Sequence, residues 1–171
     1  MKLAKTKALL STVVLAGFLM LFSGCPYTSS VPVDEGTINV PKYLIGQWLK
    51  SSDSDSENPT LYTVDKVDSK HAKLLKMEYS STDESYDTTE YDLTFSDVKG
   101  DVFMNAIEKE GYSYYIFRVK YSETSQTFTT EEVTDYITET FNSSEELKQF
   151  IAANKHLSFF FTSTPSDYVK K

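Results

Sequence analysis

Cysteine occurs once in the 171 residues, at Cys25, so no disulfide can form within the chain and the fold must stand on its core. Arginine also occurs once, at Arg118, and tryptophan once, at Trp48. Acidic residues outnumber basic ones, 25 to 17, and no arginine cluster exists to meet a phosphate backbone. Nucleic acid is therefore not an expected partner. The two histidines, His71 and His156, fall in no His-x-x-x-His or Cys-His spacing, so neither a metal site nor a cofactor is expected. The six glycines are scattered and build no phosphate-cradling loop, and no Gly-x-Ser-x-Gly elbow occurs. Carboxylates are plentiful, but no pair stands out as an acid and its partner base. A non-catalytic protein is the expectation. The apolar run at 8–22 is 15 residues long and includes polar Ser11 and Thr12, short of the roughly 20 that a spanning helix needs.

That run has a different use. Lys2, Lys5 and Lys7 precede it, and Ser23-Gly24-Cys25 follows. A cationic start, a short apolar stretch and small residues read as a secretory signal peptide, residues 1–24, cleaved to leave Cys25 first. The junction resembles the lipobox of bacterial lipoproteins, with Phe22 where leucine is usual. The resemblance implies an acylated Cys25 that holds the protein on a membrane of the bacterial envelope, expected to be the outer one. More than one acyl chain gives stable anchoring. Cleavage there leaves 147 of the 171 residues, one domain's worth. It removes three lysines and no acid, taking the net charge from −8 to −11. The acid excess fits solubility beside an anionic surface.

Residues 26–41 hold three prolines, Pro26, Pro32 and Pro41, among Ser, Thr and an Asp34-Glu35-Gly36 turn signal. They read as a flexible tether, so 25–42 is lipidated cysteine and linker, with the globular domain at 43–171. From there strand follows strand: 44–51, 60–66, 71–80, 88–96, 102–108, 112–121 and 127–133. The alternation is cleanest at 88–96, where Thr89, Tyr91, Leu93 and Phe95 share one face. Turn signals such as Asp68-Ser69-Lys70 and Lys99-Gly100-Asp101 separate the runs, which argues for an antiparallel meander. One helix interrupts. Asn142, Ser143 or Ser144 can cap it, Glu145 and Glu146 suit its first turn, and Leu147, Phe150 and Ile151 form its apolar stripe. A last strand is predicted at 157–162, ended by Pro165, with 166–171 trailing.

The opening Gly46-Gln47-Trp48 resembles the Gly-x-Trp of a lipocalin's first strand. A meander, then a helix, then a short last strand also resembles the calycin plan, over roughly residues 43–161. The resemblance, to lipocalin-like small bacterial lipoproteins, implies an all-β fold: an antiparallel up-and-down barrel of about eight strands closed at one end by the tryptophan. It implies a small apolar or amphipathic ligand in a cavity lined by Trp48, Tyr91, Leu93, Phe95, Tyr115 and Phe117. The family's other motifs fit badly: Thr134-Asp135-Tyr136 spells the second one, yet it follows Arg118, where the family order is the reverse.

Two further patterns carry chemistry. Asp53-Ser54-Asp55-Ser56-Glu57-Asn58 places acids at alternate positions, as a calcium loop does, but position twelve is Val64, so a solvated loop is expected. Twelve tyrosines and eleven phenylalanines make the chain aromatic-rich. Tyr112, Tyr114 and Tyr115 crowd one strand, where one face must point away from the other. Such rings either line a cavity or pair across strands to stiffen the sheet. Two functional readings follow: a membrane-tethered ligand binder, or a structural or protein-interaction lipoprotein with a solid core. A void inside the barrel favours the first, and side chains that fill it favour the second.

Overall fold

A computed structural model of the chain describes residues 26–171. The expected signal peptide, 1–24, and Cys25, the expected lipid-attachment residue, lie outside the described residues. The strands are β1 (Thr28–Ser29), β2 (Gly46–Lys50), β3 (Leu61–Lys66), β4 (His71–Ser80), β5 (Ser85–Val98), β6 (Asp101–Glu108), β7 (Tyr114–Ser122), β8 (Thr127–Glu132) and β9 (Ser166–Lys170); one α-helix, α1 (Ser144–Asn154), precedes β9. From β2 to β8 each strand pairs antiparallel with the next. β9 then slots between β8 and β2 and closes an eight-stranded barrel.

The hairpins follow from local chemistry. Lys99 and Gly100 both have positive φ, 50° and 85°, and join Val98 to its partner Asp101 in a two-residue turn whose twist matches the strands. Asp68 accepts hydrogen bonds from the Lys70 and His71 backbone N–H groups at 2.7 and 2.9 Å, which sets the start of β4. At the helix, Ser143 is the cap: its hydroxyl accepts from the Glu146 N–H at 3.3 Å.

Alternation along the strands splits the apolar residues into two cores. Inward-facing Leu93, Phe95, Ala106, Val119 and Phe128 pack with Trp48 as the core inside the barrel. Outward-facing Val98, Phe103 and Ile116 form a second core outside the wall, beneath Leu147 and Ile151 of α1 and Phe160. Elsewhere the outer surface carries charge, for example Lys73 and Lys109 on either side of Glu90. An apolar inside and a charged outside are the reverse of a membrane-spanning barrel's polarity. Among the described residues no helix is long and apolar enough to cross a membrane.

Two expectations are corrected. Residues 157–162 are turns, not a strand, apart from a single bridge between Val133 and Phe161. The Phe160 ring is drawn into the outer core, and hydrogen bonds from Leu157 N–H to Asn154 and from Phe160 N–H to Leu157 keep the chain coiled. The real last strand is β9, which begins directly after Pro165. A proline at a strand's entrance forfeits no ladder bond, so it starts this strand and does not end the previous one.

The second correction concerns residues 26–41, which are packed and not a loose tether. Tyr27, Val33 and Val40 are buried, and β1 pairs with Tyr114 and Tyr115 of β7, beyond the point where β8 leaves that strand. The Val33 N–H donates to Asn105 Oδ1 at 2.8 Å, and Asn105 in turn donates to the Thr94 and Ser96 hydroxyls. Asp34 accepts from Ser96, Thr37 and Lys148. This strap then crosses one barrel end: the Ile38 N–H donates to the Phe95 carbonyl and the Val40 N–H to that of Ser69. Prolines that suggest a linker here fix an extended strap, because its polar backbone finds partners on the barrel wall.

Arg118 points outward from β7. It pairs with Glu131 and Asp101, and its guanidinium lies 3.9 Å from the centre of the Phe161 ring. It thus clamps the segment after α1 to the wall.

Candidate functional site

The barrel is not full. A cavity of about 340 Å³ lies inside it, within the range of small-molecule sites. One end is sealed by the strap and by Trp48. Gly46 has φ of +129°, a conformation that lets the chain turn from a short 3-10 segment, Lys42–Leu44, into β2. The Trp48 ring then folds back, its Nε1–H donating to the Leu44 carbonyl at 2.8 Å and its edge meeting Phe128 at 4.7 Å. Tyr43 stacks on Tyr121 at 4.3 Å across the same end.

The cavity wall has two zones. Leu44, Val64, Leu74, Leu93, Ala106 and Phe117 make it apolar. Four phenols, Tyr62, Tyr91, Tyr115 and Tyr168, meet edge to face in two pairs: Tyr62 with Tyr168 at 5.2 Å, and Tyr91 with Tyr115 at 6.4 Å. Lys76, Thr130 and Glu132 supply the polar groups. Lys76 is satisfied by Glu78, on the same face of β4, at 2.8 Å. Burial raises the Tyr62 phenol well above its ordinary pKa, with Tyr168, Glu78 and Asp53 adding to the effect. Tyr91 is raised by burial and by Glu108, Tyr115 and Glu78. Burial also raises the Glu132 carboxyl, and Lys50 only partly offsets it.

Of the residues predicted to line a cavity, Tyr91, Leu93, Tyr115 and Phe117 stand on its wall. Trp48 and Phe95 do not, and that expectation is corrected. Both are fully buried in the sealed end, Trp48 held by its bond to Leu44 and Phe95 covered by the strap. Of the crowded tyrosines, Tyr115 faces the cavity, Tyr114 packs against the outer core, and Tyr112 is exposed in the preceding turn. Sequence reasoning missed Tyr62, Tyr168, Lys76 and Glu132. The alternation Phe128, Thr130, Glu132 on β8 carried the signal for one of them.

The remaining patterns have structural roles. Asp53 shapes its own loop by accepting from the Thr60 N–H at 2.7 Å. Among the described residues no group of three or more His, Cys, Asp or Glu could hold a metal ion. Thr134-Asp135-Tyr136 forms a turn outside the barrel, with the Tyr136 N–H donating to the Thr134 hydroxyl. Comparison with protein-family models, with curated proteins and with solved structures finds no match.

Proposed function

We propose that this chain is a lipocalin-like bacterial lipoprotein that holds a small apolar or amphipathic ligand inside its barrel. Cleavage before Cys25 and acylation of its thiol anchor the domain in the cell envelope, at the outer membrane. The role is binding, without catalysis. The observation that carries this reading is the unfilled cavity, about 340 Å³, sealed at one end and walled by apolar and phenolic groups. A barrel serving only as a structural or docking module gains from filling its interior, since voids forfeit packing contacts. The Gly46-x-Trp48 plug and the helix before the closing strand support kinship with calycins.

Native mass spectrometry of the protein extracted from its host is the direct test. The expected result is a retained or acquirable small molecule in the mass range of a single amphiphile. A delipidated domain that never carries or takes up an apolar compound would overturn the binding role. For the anchor, labelled palmitate should enter the wild-type chain and not Cys25→Ser, and the variant should leave the membrane fraction.

A further inference from the structure

The cavity's charge is unbalanced in one direction. Lys76 is occupied by Glu78, whereas among the described residues no cation stands within ion-pairing distance of Glu132. Lys50 acts on Glu132 only from farther away. The free charge on the wall is therefore negative. Tyr168 and Tyr91 both feel nearby carboxylates, Glu132 at the first and Glu108 and Glu78 at the second. Phenol faces carry negative potential and attract cations, most strongly where water is scarce. Four such rings and an uncompensated carboxylate thus share a wall with Leu74, Leu93 and Ala106, an apolar zone fit for a hydrocarbon chain.

We infer that the cavity selects an amphiphile with a positively charged nitrogen head, an alkyl amine or alkylammonium, whose head meets Glu132 among Tyr62, Tyr91, Tyr115 and Tyr168 and whose tail lies on the leucine zone. The inference rests on the ligand-binding reading above and names its ligand class. An anionic head such as a fatty carboxylate meets Glu132 with like charge and finds Lys76 already taken. A neutral tail binds, with nothing to satisfy the carboxylate.

Calorimetry with four probes separates the cases: decyltrimethylammonium, decylamine, decanol and decyl sulfate, all below their micellar concentrations and at fixed salt. Both cations should bind about tenfold tighter than decanol, and the sulfate weakest. Glu132→Gln should bring the cations down to the level of decanol. Glu123→Gln removes the same charge from an exposed turn and controls for the chain's overall acidity, so it should change nothing. Decanol binding as tightly as the cations would overturn the head-group inference and leave the binding role standing. Cation preference that survives Glu132→Gln, or that falls equally in Glu123→Gln, would also overturn it. If none of the four binds, the ligand-binding reading itself fails.

Discussion

The Asp34 carboxylate accepts a hydrogen bond from Lys148 Nζ at 2.7 Å, across 114 residues of sequence. It joins the N-terminal strap to α1, over the outer wall of the barrel. Ser96, Thr37 and the Gly36 N–H donate to the same carboxylate. Burial alone pushes the Asp34 carboxyl up, but these donors together outweigh it and the net shift is downward. A lowered acid lends stability that is present above its unfolded value and lost as pH falls through its folded one. Asp34→Ala should cost about 2–3 kcal/mol at neutral pH, because Lys148 and Ser96 lose their acceptor. Urea unfolding of both proteins from neutral to acid pH checks this: the wild type should approach the variant as Asp34 protonates.

The strap is a structural part of the domain, so its removal should be felt. Val33 is fully buried in the outer core. Val33→Ala should lower stability by about 2 kcal/mol, and deletion of residues 26–41 by far more, because the sealed end and the outer core both open. A truncated chain with an unchanged unfolding midpoint would return these residues to the status of a tether.

Where sequence and structure agree, the reason is periodicity backed by a turn. The predicted bounds of β4, 71–80, coincide with those observed because the Asp68 turn fixes its start. Tyr91 and Leu93 fall on the cavity wall because period-two alternation on β5 assigns a face. Trp48 and Phe95 share that inward parity, yet which inward residues seal and which line depends on where the barrel ends, a property of the whole closed sheet. The strap and β9 were illegible for a related reason. Their residues gain order only from partners far along the chain, such as Asn105 for Val33 and Trp48 for Lys170. Prolines beside them then read as linker and stop signals. Glu132 was hidden as one acid among many; its environment comes from β2 and β9, not from its neighbours in sequence.

Trp48 is the only tryptophan and is fully buried, so the folded chain should emit at short wavelength and resist acrylamide quenching. Trp48→Phe leaves the Leu44 carbonyl without its donor and a gap beside Phe128. A loss of about 2–4 kcal/mol is expected by denaturant unfolding. An emission maximum like that of free tryptophan in the native protein would contradict the sealed end.

Glu132 should be kept at a cost to stability. Its folded-state carboxyl is raised above the unfolded value by burial. Such a group favours folding below its unfolded value, and that contribution is lost as pH rises through the folded one. Lys50 on β2 only partly offsets that burial, and the carboxylate in turn raises the Tyr168 phenol on β9. Glu132→Gln should therefore raise the melting temperature at neutral pH, with the gain vanishing in acid. A variant less stable than wild type at neutral pH would mean that the carboxylate holds the barrel together.

Ala106 offers a way to close the cavity without disturbing its frame. It lies on the wall between its strand partners Leu93 and Tyr115, and its methyl group faces the void. In Ala106→Leu the added carbons enter empty volume, so the overpacking that usually penalises a larger core residue is largely avoided. Stability should change by no more than about 1 kcal/mol, and the new apolar contacts can make the change favourable. Ligand uptake should nevertheless fall about tenfold or more, because part of the cavity is gone. Thermal unfolding and binding of a neutral probe such as decanol, measured on the same preparation, separate the two effects. Retained binding with retained stability would place the ligand outside the barrel. Lost binding with a collapsed melting temperature would show instead that the wall at Ala106 tolerates no added volume, and Leu74→Phe, which adds volume to the same cavity from β4, then repeats the test from the opposite side of β5.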